Sequence, residues 1–137
     1  MICPWRFKRV VKVAKMLALG FVFALAVLPG LTSSAAAWIE ITRNASGTVT
    51  YYLDEESLRR EGDKVTFWDK RVVSDDPDFK ELRGYTEMDC SKTRYRTLMI
   101  TGYDNKGRSF TDQEPGQWQH IEANSAMAVF QERVCKE

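Results

Sequence analysis

The stretch TVTYYLDEESLRREGDKVTFWDKRVV, residues 48–73, decides the fold class. Over residues 48–53, Val49, Tyr51 and Leu53 alternate with Thr48, Thr50 and Tyr52, the two-residue period of a strand with one buried face. Residues 57–61 and Lys64–Val73 flank Gly62-Asp63, and a Gly-X pair between two such arms predicts a hairpin closed by a type II′ turn. In the second arm Val65 and Phe67 share one face while Trp68 and Val72 share the other. Apolar residues on both faces predict that this strand is partly covered on each side.

Outward from this hairpin the same period continues. Trp38–Arg43 reads as a short strand with Ile39 and Ile41 on one face, turned by residues 44–47. Downstream, the polar run 74–78 contains Pro77 and reads as a loop, because proline removes a ladder donor. Residues 84–90 and 93–104 read as two further strands. Asn105-Lys106-Gly107 turns the chain, 108–111 returns it, and 112–117, with Pro115-Gly116, forms a second loop. Helix signals come only at the end. Asn124 or Ser125 can cap, and Met127, Phe130 and Val134 follow at helical spacing. The predicted architecture is α+β: an antiparallel β-sheet of about six strands with one C-terminal α-helix packed on it.

The chain has 137 residues, and the first 37 have a different character. They carry Arg6, Lys8, Arg9, Lys12 and Lys15 and no acidic residue, then an apolar run at 16–28, then Pro29-Gly30 and small residues ending in Ala35-Ala36-Ala37. This is the pattern of a signal peptide cut after Ala37. The apolar run of 13 residues gives about 20 Å of helix, against a hydrocarbon core of about 30 Å. The expected organisation is therefore a cleaved signal peptide at 1–37 and one exported domain at 38–137, with no membrane span after cleavage. Cys3 lies ahead of the apolar run rather than just after it, so a lipid anchor is not expected.

Of the 20 Lys and Arg, five lie in the first 37 residues, leaving 15 basic against 19 acidic residues beyond Ala37, a net charge near −4. Such a balance excludes a general nucleic-acid binder, which needs a clear basic excess. Loss of Cys3 with the signal leaves Cys90 and Cys135. An even count in an exported chain reads as a disulfide. Their wide spacing is no Cys-x-x-Cys, and with His120 as the only histidine a metal or redox pair is disfavoured.

Together these features resemble the surface-adhesin protein E family. The resemblance rests on Trp38, the strand Val49-x-Tyr51-Tyr52-Leu53-Asp54, Ser57-Leu58 ahead of Gly62, Val65-x-Phe67-Trp68, Asp89-Cys90, Gly102-Tyr103-Asp104-x-x-Gly107, Trp118 and Val134-Cys135. It covers essentially all of 38–137. It implies an antiparallel sheet with a C-terminal helix, a Cys90–Cys135 bridge and no catalysis. It further implies adhesion to host matrix or serum proteins of the vitronectin and laminin kind, from a lipid-anchored outer-membrane position, as a homodimer. The chain departs from that pattern in lacking the lipidated cysteine directly after the apolar run.

No residue set argues for chemistry. His120 stands beside Trp118 and Ile121 with no Gly-x-Ser-x-Gly elsewhere, so it reads as a strand-end or loop residue. Asp75, Asp76 and Asp78 lack the Gly and Glu positions of a calcium loop and read as a solvated turn. No cofactor or metal is expected. Lys92, Arg94 and Arg96 alternate with Thr93 and Tyr95, which puts the three bases on one strand face. Lys92, Arg94, Tyr95 and Arg96 are thus candidates for contact with an acidic partner or a sulfated glycan, against the plainer reading of a charge-protected sheet edge. The expected function is a non-enzymatic exported bacterial domain, protein-binding or adhesin-like at the cell envelope, periplasmic, secreted or associated with the outer surface. The alternatives are a periplasmic housekeeping or structural protein and a small exported enzyme.

Overall fold

The structure is a computed structural model and describes residues 35–136. The predicted signal peptide therefore falls almost entirely outside the described residues. Seven strands form one antiparallel sheet: β1 (Trp38–Arg43), β2 (Val49–Glu61), β3 (Lys64–Val73), β4 (Phe79–Asp89), β5 (Arg94–Asp104), β6 (Ser109–Asp112) and β7 (Gln119–His120). One helix, α1 (Ala126–Val134), follows. Strands β1 to β6 lie side by side in chain order, and β7 pairs with β5 at Arg94 and Tyr95. Among the described residues no helix is long and apolar enough to cross a membrane.

The hairpin that fixes this order closes as predicted. Glu61 pairs with Lys64. Gly62 has φ +59° while Asp63 stays on the negative side, so only the first central residue is left-handed, as a II′ turn requires. Upstream, β2 does not stop at Leu53. It runs on through an irregularity between Asp54 and Arg59. There the Ser57 hydroxyl donates to the Asp54 carbonyl at 2.6 Å and accepts the Trp68 N–H at 2.8 Å, replacing the backbone partner that Trp68 would otherwise lack. Strand β4 likewise starts earlier than its sequence predicts, at Phe79 rather than residue 84. Asp76 accepts the N–H groups of Asp78 and Phe79, and the Phe79 ring meets Phe110 edge-on at 5.5 Å.

One face of the sheet carries the core. Leu53, Val65, Phe67, Met88, Ile121, Met127, Phe130 and Val134 are all buried. The stripe predicted for the helix is the one that docks, with the Phe130 ring stacked on Phe67 at 5.6 Å. Ser125 caps the helix by accepting the Ala128 N–H. At the other end Arg60 donates to the carbonyls of Val134 and Lys136, which have no partner within the helix. The Cys90–Cys135 disulfide, with Cα atoms 5.8 Å apart, ties the helix end to the turn between β4 and β5.

Among the described residues Asp69 is the one acidic side chain sunk deep on the core side, only 1 % exposed. Gly84 on the neighbouring strand leaves it room: a β-carbon there would stand 2.8 Å from Asp69 Oδ2. The Thr86 hydroxyl donates to that oxygen at 2.6 Å, and Arg71 Nε lies 3.4 Å from Oδ1. Burial pushes the Asp69 pKa up, and Arg71 and Thr86 offset this only in part.

Candidate functional site

No described element packs over the opposite face of the sheet. In strand geometry every second residue points there, and the register sets these residues in cross-strand rows. One row reads Trp38, Asp54, Trp68, Tyr85 and Met99 from β1 to β5. The next reads Glu40, Tyr52, Lys70, Arg83 and Thr101. Aromatic rings and cations interleave across these rows. Lys70 Nζ lies 4.7 Å from the ring centres of both Trp38 and Tyr52, and the Arg83 guanidinium lies 5.0 Å from Tyr103. Trp68 lies against Tyr85 at 5.1 Å. The second apolar face predicted for β3 is therefore shielded by neighbouring rings rather than by another layer.

Toward the β2–β3 hairpin the face becomes charged. Arg94 and Arg96 of β5 stand over the Trp118 ring at 4.4 and 4.6 Å, and Lys64 approaches it at 5.7 Å. Arg96 donates to Glu87 at 2.7 Å and Arg94 lies 3.3 Å from Asp89. Trp118 arrives from the loop after β6, whose Gly116 N–H donates to the Thr97 carbonyl at 2.8 Å. An open groove of about 710 Å³ runs beside this cluster, lined among others by Lys64, Thr66, Glu87, Asp89 and Lys92. Burial alone would raise the Asp89 carboxyl. The Ser91 hydroxyl, the Lys92 N–H and Arg94 together outweigh it and hold the pKa below the ordinary aspartate value.

The four residues singled out by the sequence separate here. Arg94 and Arg96 share the open face, as alternation predicts. Lys92 belongs to the turn before β5, whose last residue, Thr93, has φ +51°, so it lines the groove without standing in line with the arginines. Tyr95 points to the core side, where it packs on the apolar cluster and its hydroxyl donates to Gln119 at 3.0 Å. Trp118 is the partner that sequence reasoning missed. A lone Trp after Pro115-Gly116 gives no signal of which strand it will cover. His120 is exposed on β7, and Asp76 spends its carboxylate on backbone N–H groups, which hold its pKa low. Among the described residues no group of three or more His, Cys, Asp or Glu is placed to hold a metal ion.

An antiparallel meander with a helix on one face and an open, aromatic and cationic second face defines a small α+β sheet-and-helix domain. Residues 38–136 match the family of surface-adhesin protein E, and the chain belongs to that family. Solved structures agree on the fold. Crystal form II of Haemophilus influenzae protein E is 16% identical, with a TM-score of 0.56 over 79% of this chain and 94% of that one. Protein E from non-typeable Haemophilus influenzae is 17% identical, with a TM-score of 0.52 over 79% and 81%. No curated protein matches.

Proposed function

We propose that this chain is a non-enzymatic, exported bacterial domain that binds protein partners at the cell envelope through the charged end of its open face. The observation that carries the reading is the Trp118 ring packed against both Arg94 and Arg96 beside the groove. Trp and Arg dominate the energetics of protein interfaces, and here both are presented on a rigid sheet. Each arginine already has a carboxylate neighbour, so an incoming acidic group joins a formed network. Membership of the surface-adhesin protein E family supports adhesion, with vitronectin and laminin as the partners to try first. Residues 1–37 act as a signal peptide cut after Ala37.

Surface plasmon resonance tests the binding, using protein purified after export of the full chain in a bacterial host. Trp118→Ala and the pair Arg94→Ala, Arg96→Ala should each weaken adhesion by about tenfold or more, the range expected for a hot-spot residue. Unaltered affinity in correctly folded variants removes the charged end from the binding surface. Intact mass should match 38–137. Fractionation that leaves all the protein soluble in the periplasm overturns the adhesive role in favour of a housekeeping one.

A further inference from the structure

The geometry points to a second binding site on the same face, a pocket for one pyranose ring of a glycan, set apart from the charged end and independent of it. Ala36, Trp38, Asp54, Trp68, Arg83, Thr101 and Tyr103 line a pocket of about 300 Å³, at the small end of small-ligand sites; the proposed cleavage after Ala37 removes Ala36 and leaves the other six. Asp54 is the informative residue. It is 9 % exposed, and its Oδ1 accepts the Glu56 N–H at 3.2 Å. Its Oδ2 accepts no hydrogen bond from any described residue and, since no buried side-chain oxygen among the described residues lacks a partner, is open to solvent in the pocket. Regular register sets it in the row between Trp38 and Trp68, and the irregularity of β2 begins directly after it.

Arg83 supplies the complementary half. Its Nε is committed to Glu81 at 2.5 Å, while its two Nη groups donate to no described residue. Its guanidinium is steadied between Tyr103, at 5.0 Å, and Trp38, at 5.9 Å. A spare carboxylate oxygen and a fork of spare N–H donors between aromatic walls suit a ring that has hydroxyls at its rim and C–H bonds on its face. The hydroxyls donate to Asp54 and accept from Arg83, and the weakly positive C–H face lies against the negative face of an indole. Other occupants fit less well. A cationic ligand meets Arg83 and Lys70 already seated on the rings, and a purely apolar one would cover the Asp54 oxygen, now open to solvent, without giving it a donor, an expensive arrangement.

The test is titration of the exported protein with the methyl glycosides of glucose, galactose, N-acetylglucosamine and glucuronic acid, read by proton–nitrogen NMR of the indole N–H groups. At least one glycoside should shift the Trp38 and Trp68 signals and leave Trp118 in place. Asp54→Asn keeps the shape and should weaken that binding by about tenfold or more, since hydrogen bonds to charged groups are the stronger kind. Trp68→Phe keeps an aromatic floor and should weaken it less. Arg94→Ala with Arg96→Ala should leave it unchanged, which separates failure of this site from failure of the charged end. The proposal is overturned if none of the four moves the Trp38 and Trp68 signals, if Asp54→Asn binds as tightly as the parent, or if the Arg94, Arg96 variant loses sugar binding too.

Discussion

The two faces of this sheet are built by alternate residues of the same strands, yet different forces hold them. On the core side Phe67, Leu53, Val65 and Met88 are sealed under the helix, and stability comes from apolar surface removed from water. On the open side Lys70, Arg83, Arg94 and Arg96 lie across aromatic rings within reach of solvent, where each such contact contributes only about 0.5–1 kcal/mol. A side chain on the first face is therefore judged by the hole it would leave, and one on the second by the partner it can still meet. The same backbone can carry a tight core and a surface free for recognition because the strand period keeps them apart.

Denaturant midpoints put that contrast at risk. Phe130→Ala should lose about 3–5 kcal/mol, through transfer energy plus the cavity beneath the helix. If it loses no more than an exposed control such as Glu132→Ala, the helix is not docked through its apolar stripe. Comparing oxidised protein with the Cys90→Ser, Cys135→Ser pair should show a loss of about 4 kcal/mol in the chain-entropy account of a loop this long; equal midpoints would mean the bond adds nothing to a helix already held by packing. Gly84→Ala drives a methyl group against Asp69 and should cost about 1–3 kcal/mol as an overpacked site. A harmless Gly84→Ala would show that Asp69 is free to move aside.

A pH series sharpens the comparison further. The folded Asp69 pKa is raised above its ordinary value of 3.8. The folded state then holds that proton more tightly than the unfolded one, and stability falls as pH rises from about 3.8 through the raised value. Asp76, Asp89 and Asp104 are lowered instead. Their contribution is present above 3.8 and is lost as pH falls through their folded values. Asp69→Asn should thus flatten the higher-pH limb and leave the acid limb intact. A variant that changes only the acid limb would contradict the assignment. The smallest effect belongs to Lys70→Ala on the open face, expected to cost at most about 1 kcal/mol; a loss comparable to that of Phe130→Ala would erase the distinction between the faces.

Local signals carried most of the fold. Alternation at Val49, Tyr51 and Leu53, the Gly62-Asp63 turn, and Met127, Phe130 and Val134 at helical spacing each report on residues only a few positions apart. The early start of β4 at Phe79 escaped because Phe79-Lys80-Glu81 has no apolar alternation, and its strand depends on Asp104 and Phe110, far along the chain. The site was legible only in part for the same reason. Arg94 and Arg96 follow from strand period, whereas Trp118 over them, and Trp38 and Trp68 flanking Asp54, are neighbours made by register across strands. Lys92 misled because Thr93 turns left-handed and takes it out of the line.

The bridge between Cys90 and Cys135 also has a mechanical meaning. The two cysteines are 45 positions apart, and a fully drawn chain of that length spans roughly 150 Å at ~3.4 Å per residue. Stretched between Trp38 and Lys136, the oxidised protein can yield β1 to β4, but the segment holding β5, β6, β7 and the helix is bypassed by a covalent link and carries no tension. Trp118, Arg94 and Arg96 all lie inside that shielded segment, so tension applied at the two ends of the chain leaves the strand and loop that carry them unstretched. Reduction would turn the shielded length into slack.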